Sequence, residues 1–176
     1  MHTLEIRRHT HRNAPQSHLS QQGVDLARRA GEGLGKFDRV ITSTIPRAFE
    51  TAIAMGYAVD EQLEQLGMMS NEAGAMIQWA AGFAAWARAA RKYPAVARYA
   101  QALGELLRSL VSTLPDGGRA LIISHGGIVE ASAAGCLPSG TRLADDAPCG
   151  YCEGVRLTFD GGTVVNVEML RVDQPR

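Results

Sequence analysis

The segment EIRRHTHRN (residues 5–13) places three arginines and two histidines within nine positions. A cluster this cationic faces a solvated surface, a metal or an anion. Two later segments carry matching chemistry. TSTIPR (42–47) ends on Arg47, and ISHGG (123–127) places His125 before Gly126 and Gly127. Guanidinium groups present a planar fork of donors that suits phosphate and carboxylate oxygens. A neutral imidazole among such cations can act as a nucleophile toward phosphorus. The candidates Arg8, His9, Arg47 and His125 are distant in sequence, so the fold must bring them together.

The elements that would do so alternate between strand and helix. TLEIRRH (3–9), RVITS (39–43) and RALIISH (119–125) read as strands, the last as a continuous apolar run suited to a buried parallel strand. LSQQGVDLARRAGEGLG (19–35) reads as a helix with Ser20 as N-cap, and TIPRAFETAIAMGY (44–57) as a second with Pro46 in its first turn. A weak strand is expected near 57–63, two long helices over 70–92 and 94–114, and a short helix over about 127–136. GVRLTFDGGTVVNVEML (154–170) reads as a hairpin turning at Asp160-Gly161-Gly162. This alternation predicts a single α/β domain over 1–176: a three-layer sandwich with a mostly parallel central sheet flanked by helices. A helical insert at about 68–115 would overhang the active-site crevice. In such a sheet the carboxyl ends of parallel strands face one crevice, where ligands bind. Helix N-termini after Thr44 and Gly127 would add backbone donors there. All of this favours a dianion, with phosphate the obvious candidate.

Composition narrows the partners. The 176 residues carry 18 basic and 18 acidic side chains, with no basic tract or tail, so nucleic acid is not expected as a partner. The N-terminus lacks a signal pattern. The most apolar stretch, AGAMIQWAAGFAAWA (73–87), is interrupted by Gln78 and too short for a bilayer, so a cytoplasmic protein with no membrane association is expected. Cys136, Cys149 and Cys152 are too few for a disulfide framework. CGYC (149–152) has redox spacing, but a strand follows where such motifs start a helix, which favours packing residues in a turn. Met76, Trp79, Phe83 and Trp86 are helically spaced and read as core or lid. His9-x-His11 with His125 could hold zinc, yet the neighbouring arginines oppose a dication and few further ligands remain, so no metal or other cofactor is expected.

At these motifs the sequence resembles the histidine phosphatase superfamily, the phosphoglycerate-mutase-like proteins. Arg8-His9-Thr10 is similar to their Arg-His-Gly. LSQQGVDLARRAGEGL resembles their Leu-Thr-x-x-Gly-x-x-x-Ala helix. Ser43, Arg47, Ala48 and Thr51 match Ser-x-x-x-Arg-Ala-x-x-Thr, and His125-Gly126 matches the second histidine motif. The resemblance covers 4–56 and 119–135 well and the middle poorly. It implies that His9 accepts the phosphoryl group, with Arg8, Arg47 and His125 holding the phosphate. Arg12 and Gly126 are added candidates for phosphate binding. The family's proton donor is a glutamate in an Asp-x-x-Leu-x-Glu context. In DEQLEQLG (60–67) Gln65 takes that position, leaving Glu64 as the candidate acid with Glu61 behind it. The implied activity is a metal-independent phosphatase acting on a phosphorylated small molecule or phosphoprotein. The rivals are phosphoglycerate-mutase-type transfer and a non-catalytic phosphate-binding module.

Overall fold

The computed structural model describes residues 1–138 and 147–173. Six strands form one sheet: β1 (His2–Arg8), β2 (Arg39–Thr42), β3 (Glu61–Gln62), β4 (Arg119–Ser124), β5 (Gly154–Asp160) and β6 (Thr163–Leu170). They lie in the order β3-β2-β4-β1-β5-β6. The first four in that order run parallel, and the β5–β6 hairpin adds antiparallel to β1. This is the expected α/β sandwich with a mostly parallel sheet.

Side-chain alternation divides the helices between the two faces. Leu121 and Ile123 of β4 pack with Leu26 and Ala27 of α1 (Gln21–Gly31) and with Ala48 and Ala52 of α2 (Pro46–Ala54). Ile122, with Leu4 and Ile6 of β1, packs against Leu107 and Val111 of α5 (Pro94–Ser112) and Val129 and Ala133 of α6 (Ile128–Cys136). Ser20 caps α1, its Oγ accepting the Gly23 N–H at 3.1 Å, and Pro46 opens α2. No helix among the described residues is long and apolar enough to cross a membrane.

One expected helix is broken. In place of a continuous helix over 70–92 there is a single turn, α3 (Asn71–Gly74), then irregular chain, then α4 (Phe83–Lys92). Ser70 caps the first piece, accepting the Ala73 N–H at 3.2 Å. Gly82 takes a φ of 81° at the start of α4, a left-handed conformation that no helix can pass through. The helical spacing holds within α4, where Phe83 and Trp86 are fully buried, while Met76 and Trp79 on the irregular stretch are half exposed.

Helix α6, which carries the backbone just after His125, is seated on α5 by a backbone-to-backbone approach. A Cβ placed on Gly135 would lie 1.7 Å from the Ala100 carbonyl oxygen, and one on Gly104 would lie 2.3 Å from that of Gly135. A side chain at either position must push the helices apart. Gly135→Ala should therefore lower the unfolding free energy by about 1–3 kcal/mol in urea titration. A loss below about 0.5 kcal/mol, the range of an ordinary surface change, would show that the contact is not tight.

Candidate active site

Strands β1 and β4 are adjacent, with Arg8 registered on Ser124, so the residues that follow them emerge side by side. His9 continues the ladder by donating its N–H to the Ser124 carbonyl at 2.8 Å. The His9 and His125 rings end up 5.0 Å apart. Arg47 reaches them from the first turn of α2. Its Nε donates to His9 Nε2 at 3.0 Å, while His9 Nδ1 lies 2.6 Å from the Thr10 carbonyl oxygen. The network assigns the proton to Nδ1 and the lone pair to Nε2, facing Arg47. Thr51 ties the loop after His9 to the same helix, accepting the Thr10 N–H at 3.1 Å and donating to the Arg47 carbonyl at 2.6 Å.

The other two groups are held from outside the cluster. His125 Nε2 lies 2.7 Å from Ser43 Oγ, and its Nδ1 is buried with no partner among the protein groups. Arg8 donates from Nη1 to the Cys149 carbonyl at 2.8 Å and stacks its guanidinium on the Tyr151 ring, 4.3 Å from the centroid. Its Nε is also buried without a partner. Gly126 makes room for it, since a Cβ there would sit 3.3 Å from that Nε. Donors left open beside a cationic cluster are what an oxyanion would satisfy.

These groups line a cavity of about 360 Å³ together with Arg12, Trp79, Glu130 and Tyr151. Burial pushes the His9 pKa down to about 3, with Arg47, Arg8 and Arg12 acting the same way against the Thr10 hydrogen bond. Burial also pushes His125 down to about 3, helped by His9, Arg47 and Arg8. Both imidazoles are therefore neutral near pH 7. Arg47 itself is shifted down by burial and by Arg12 and Arg8.

Arg8, His9, Arg12, Arg47, His125 and Gly126 thus converge as the sequence suggests. Arg12 stands on the cavity wall, its Nη1 donating to the Gln16 carbonyl at 3.0 Å. The acid does not converge. Glu64 opens a one-turn 3-10 helix, Glu64–Leu66, where Leu66 is fully buried and Glu64 is exposed, outside the residues that line the cavity. Burying Leu66 turns its polar neighbours outward. Glu61 pairs with Arg39 instead. The carboxylate on the cavity wall is Glu130, in the first turn of α6, whose Oε2 accepts the Gly127 N–H at 2.7 Å and Oε1 the Cys149 N–H at 2.9 Å. Burial raises its pKa against those bonds.

Glu130 had a local signal, a glutamate three residues after the helix-capping Gly127. Tyr151 had none: it lies inside CGYC and reaches the site only through tertiary packing. The two flanking thiols face opposite sides of the sheet, Cys149 with the α5–α6 core and Cys152 with the α1–α2 core. Both ring nitrogens of His9 are engaged, and the His11 ring packs 4.0 Å from that of Tyr151. Among the described residues no group of three or more His, Cys, Asp or Glu is disposed to hold a metal ion.

The depressed histidine pKa values set a pH dependence. An unfolded imidazole titrates near 6.5, so between that value and about 3 the unfolded chain binds more protons than the folded one. The stability from keeping both rings neutral is full above about pH 6.5 and is lost as pH falls toward 3, by up to roughly 1.4 kcal/mol per pH unit for each ring. In urea unfolding between about pH 4 and 5.5, His125→Gln should reduce the slope of free energy against pH by about one proton. An unchanged slope would contradict a buried neutral His125.

Comparisons with known proteins bear on the fold and the family. Phosphoserine phosphatase from Entamoeba histolytica, in complex with 3-phosphoglyceric acid, superposes with a TM-score of 0.70 at 16% identity, covering 98% of each chain. The protein histidine phosphatase SixA, complexed with tungstate, gives 0.63 at 18% identity over 96% of each chain. A mycobacterial glucosyl-3-phosphoglycerate phosphatase complexed with VO3 gives 0.64 at 18% identity, covering 97% of this chain and 99% of that one. At such identities the likeness establishes a shared fold. No curated protein matches by sequence. A family model, the histidine phosphatase superfamily (branch 1), matches residues 3–171. With nearly its whole length matched, this chain belongs to that superfamily.

Proposed function

We propose that the chain is a phosphatase that hydrolyses a phosphate monoester, without a metal, through a phosphohistidine at His9. The observation that carries this reading is the pair of bonds on the His9 ring. Nδ1–H donates to the Thr10 carbonyl, so the Nε2 lone pair points toward Arg47 inside the cavity. A phosphate oxygen displacing that Arg47 contact would bring phosphorus in front of Nε2.

The step then balances without a redox partner. His9 Nε2 forms a bond to phosphorus as the bond to the leaving oxygen breaks, and the electron pair departs with that oxygen. Arg8, Arg47 and the open nitrogen of His125 hold the three equatorial oxygens, so charge that shifts in the transition state meets donors already in place. The departing oxygen takes a proton from solvent. Water then attacks the phosphohistidine and gives up one proton, which returns that one, as the N–P bond breaks to release inorganic phosphate and restore the imidazole. The arginines supply the positive charge that a divalent cation brings to other phosphoryl transfers. The tungstate and VO3 in two of the similar structures are oxyanions, the kind of group this pocket is read to hold. The substrate is a phosphorylated small molecule or a phosphoprotein. Glu64 is not assigned as the acid, because it lies outside the cavity wall.

Two measurements check this. Turnover of a phosphate monoester panel should survive EDTA and be inhibited by vanadate; loss on chelation, restored by zinc, would overturn the metal-independent reading. His9→Ala should lower kcat by at least about 10⁴-fold, as expected when a covalent nucleophile is removed. Turnover near the wild-type rate in that variant would place the nucleophile elsewhere.

A further inference from the structure

Resting on the phosphatase reading, we propose that the substrate is an aryl phosphate whose ring stacks on Trp79.

Trp79 lies on the irregular chain between α3 and α4 and is 54% exposed, whereas Phe83 and Trp86 beside it are fully buried. It is not loose. A Cβ on Gly127 would lie 3.3 Å from Trp79 Cε3, 3.4 Å from Trp86 Cζ2 and 3.1 Å from Met69 Cε. The indole is therefore backed by the start of α6 and by the packed residues around it, while it also lines the cavity that holds His9 and His125. An exposed indole seated at the mouth of a phosphate pocket offers a flat apolar surface where the group bonded to phosphorus must lie.

Ala80, Pro148 and Tyr151 line the cavity as well, alongside the charged Arg8, Arg12, Arg47 and Glu130. The Tyr151 ring is committed to Arg8 and His11, at 4.3 Å and 4.0 Å. That leaves Trp79 as the open aromatic face among the described residues that line the cavity. Leaving-group chemistry points the same way. An alkoxide is a poor leaving group and needs a positioned acid, whereas a phenoxide departs with less help. Among the described residues on the cavity wall the carboxylate is Glu130, and both its oxygens already accept backbone N–H groups.

Phosphonates cannot be hydrolysed, so binding is read apart from turnover, at a pH alkaline enough that all three probes are full dianions. The full chain would be titrated by calorimetry with phenyl-, cyclohexyl- and methylphosphonate. Phenylphosphonate should bind about tenfold more tightly than cyclohexylphosphonate, which presents similar apolar area without an aromatic face, with methylphosphonate weakest. In Trp79→Ala the phenyl-to-cyclohexyl ratio should fall close to one, and Trp79→Phe should retain most of it. Equal affinities for the two rings in the wild type, or a ratio that persists in Trp79→Ala, would overturn the inference while leaving the phosphate pocket standing. Failure of all three to bind would overturn both the pocket reading and this inference.

Discussion

Two imidazoles are kept neutral by burial while guanidinium groups crowd around them, and the rest of the site depends on that condition. Burial holds the pKa of each ring down at about 3, and the arginines add repulsion against charging it. The pocket therefore keeps a lone pair on His9 and positive charge on the arginines at the same pH. Arg8 Nε and His125 Nδ1 are buried beside it without a protein partner.

Arg7, next in sequence to Arg8, points to the other face of the sheet, where Glu5 is fully buried and accepts from Arg7, Arg119 and Arg156. Burial opposes ionisation of Glu5, yet Arg7 and Arg156 outweigh it and hold its pKa below the usual carboxylate range. The alternation of β1 thus sends one arginine onto the buried Glu5 carboxylate and the next into the cavity. Cys152 links the two layers, its N–H donating to the Arg8 carbonyl and its own carbonyl accepting from Arg7 Nη1. It does so at a φ of 60°, a conformation uncommon outside glycine.

Much of this was legible in the chain. Arg8, His9, Arg47 and His125 sit at the ends of apolar strands or in the turn that follows, and parallel pairing delivers such positions to one edge. The hairpin at Asp160-Gly161-Gly162, the cap at Ser20 and the start of α2 at Pro46 are local chemistry, and they read correctly for that reason. The misreadings have local causes too. The periodicity of 70–92 ran through Gly82, whose left-handed φ splits the helix. Glu64 matched a spacing within one residue, but spacing cannot say that burying Leu66 turns it outward. Tyr151 and the carbonyl of Cys149 reach Arg8 from 141–143 residues away, a separation that no sequence window spans.

The central claim is that His9 Nε2 becomes bonded to phosphorus. The most direct test is rapid mixing of the full chain with an excess of phosphorylated substrate, an alkaline quench that preserves phosphoramidates, and mass spectrometry to locate the added phosphoryl group. The account predicts one phosphoryl group per chain, on His9, lost on acidification. Phosphorylation of a different residue, or steady turnover with His9 unmodified at every quench time, would contradict it.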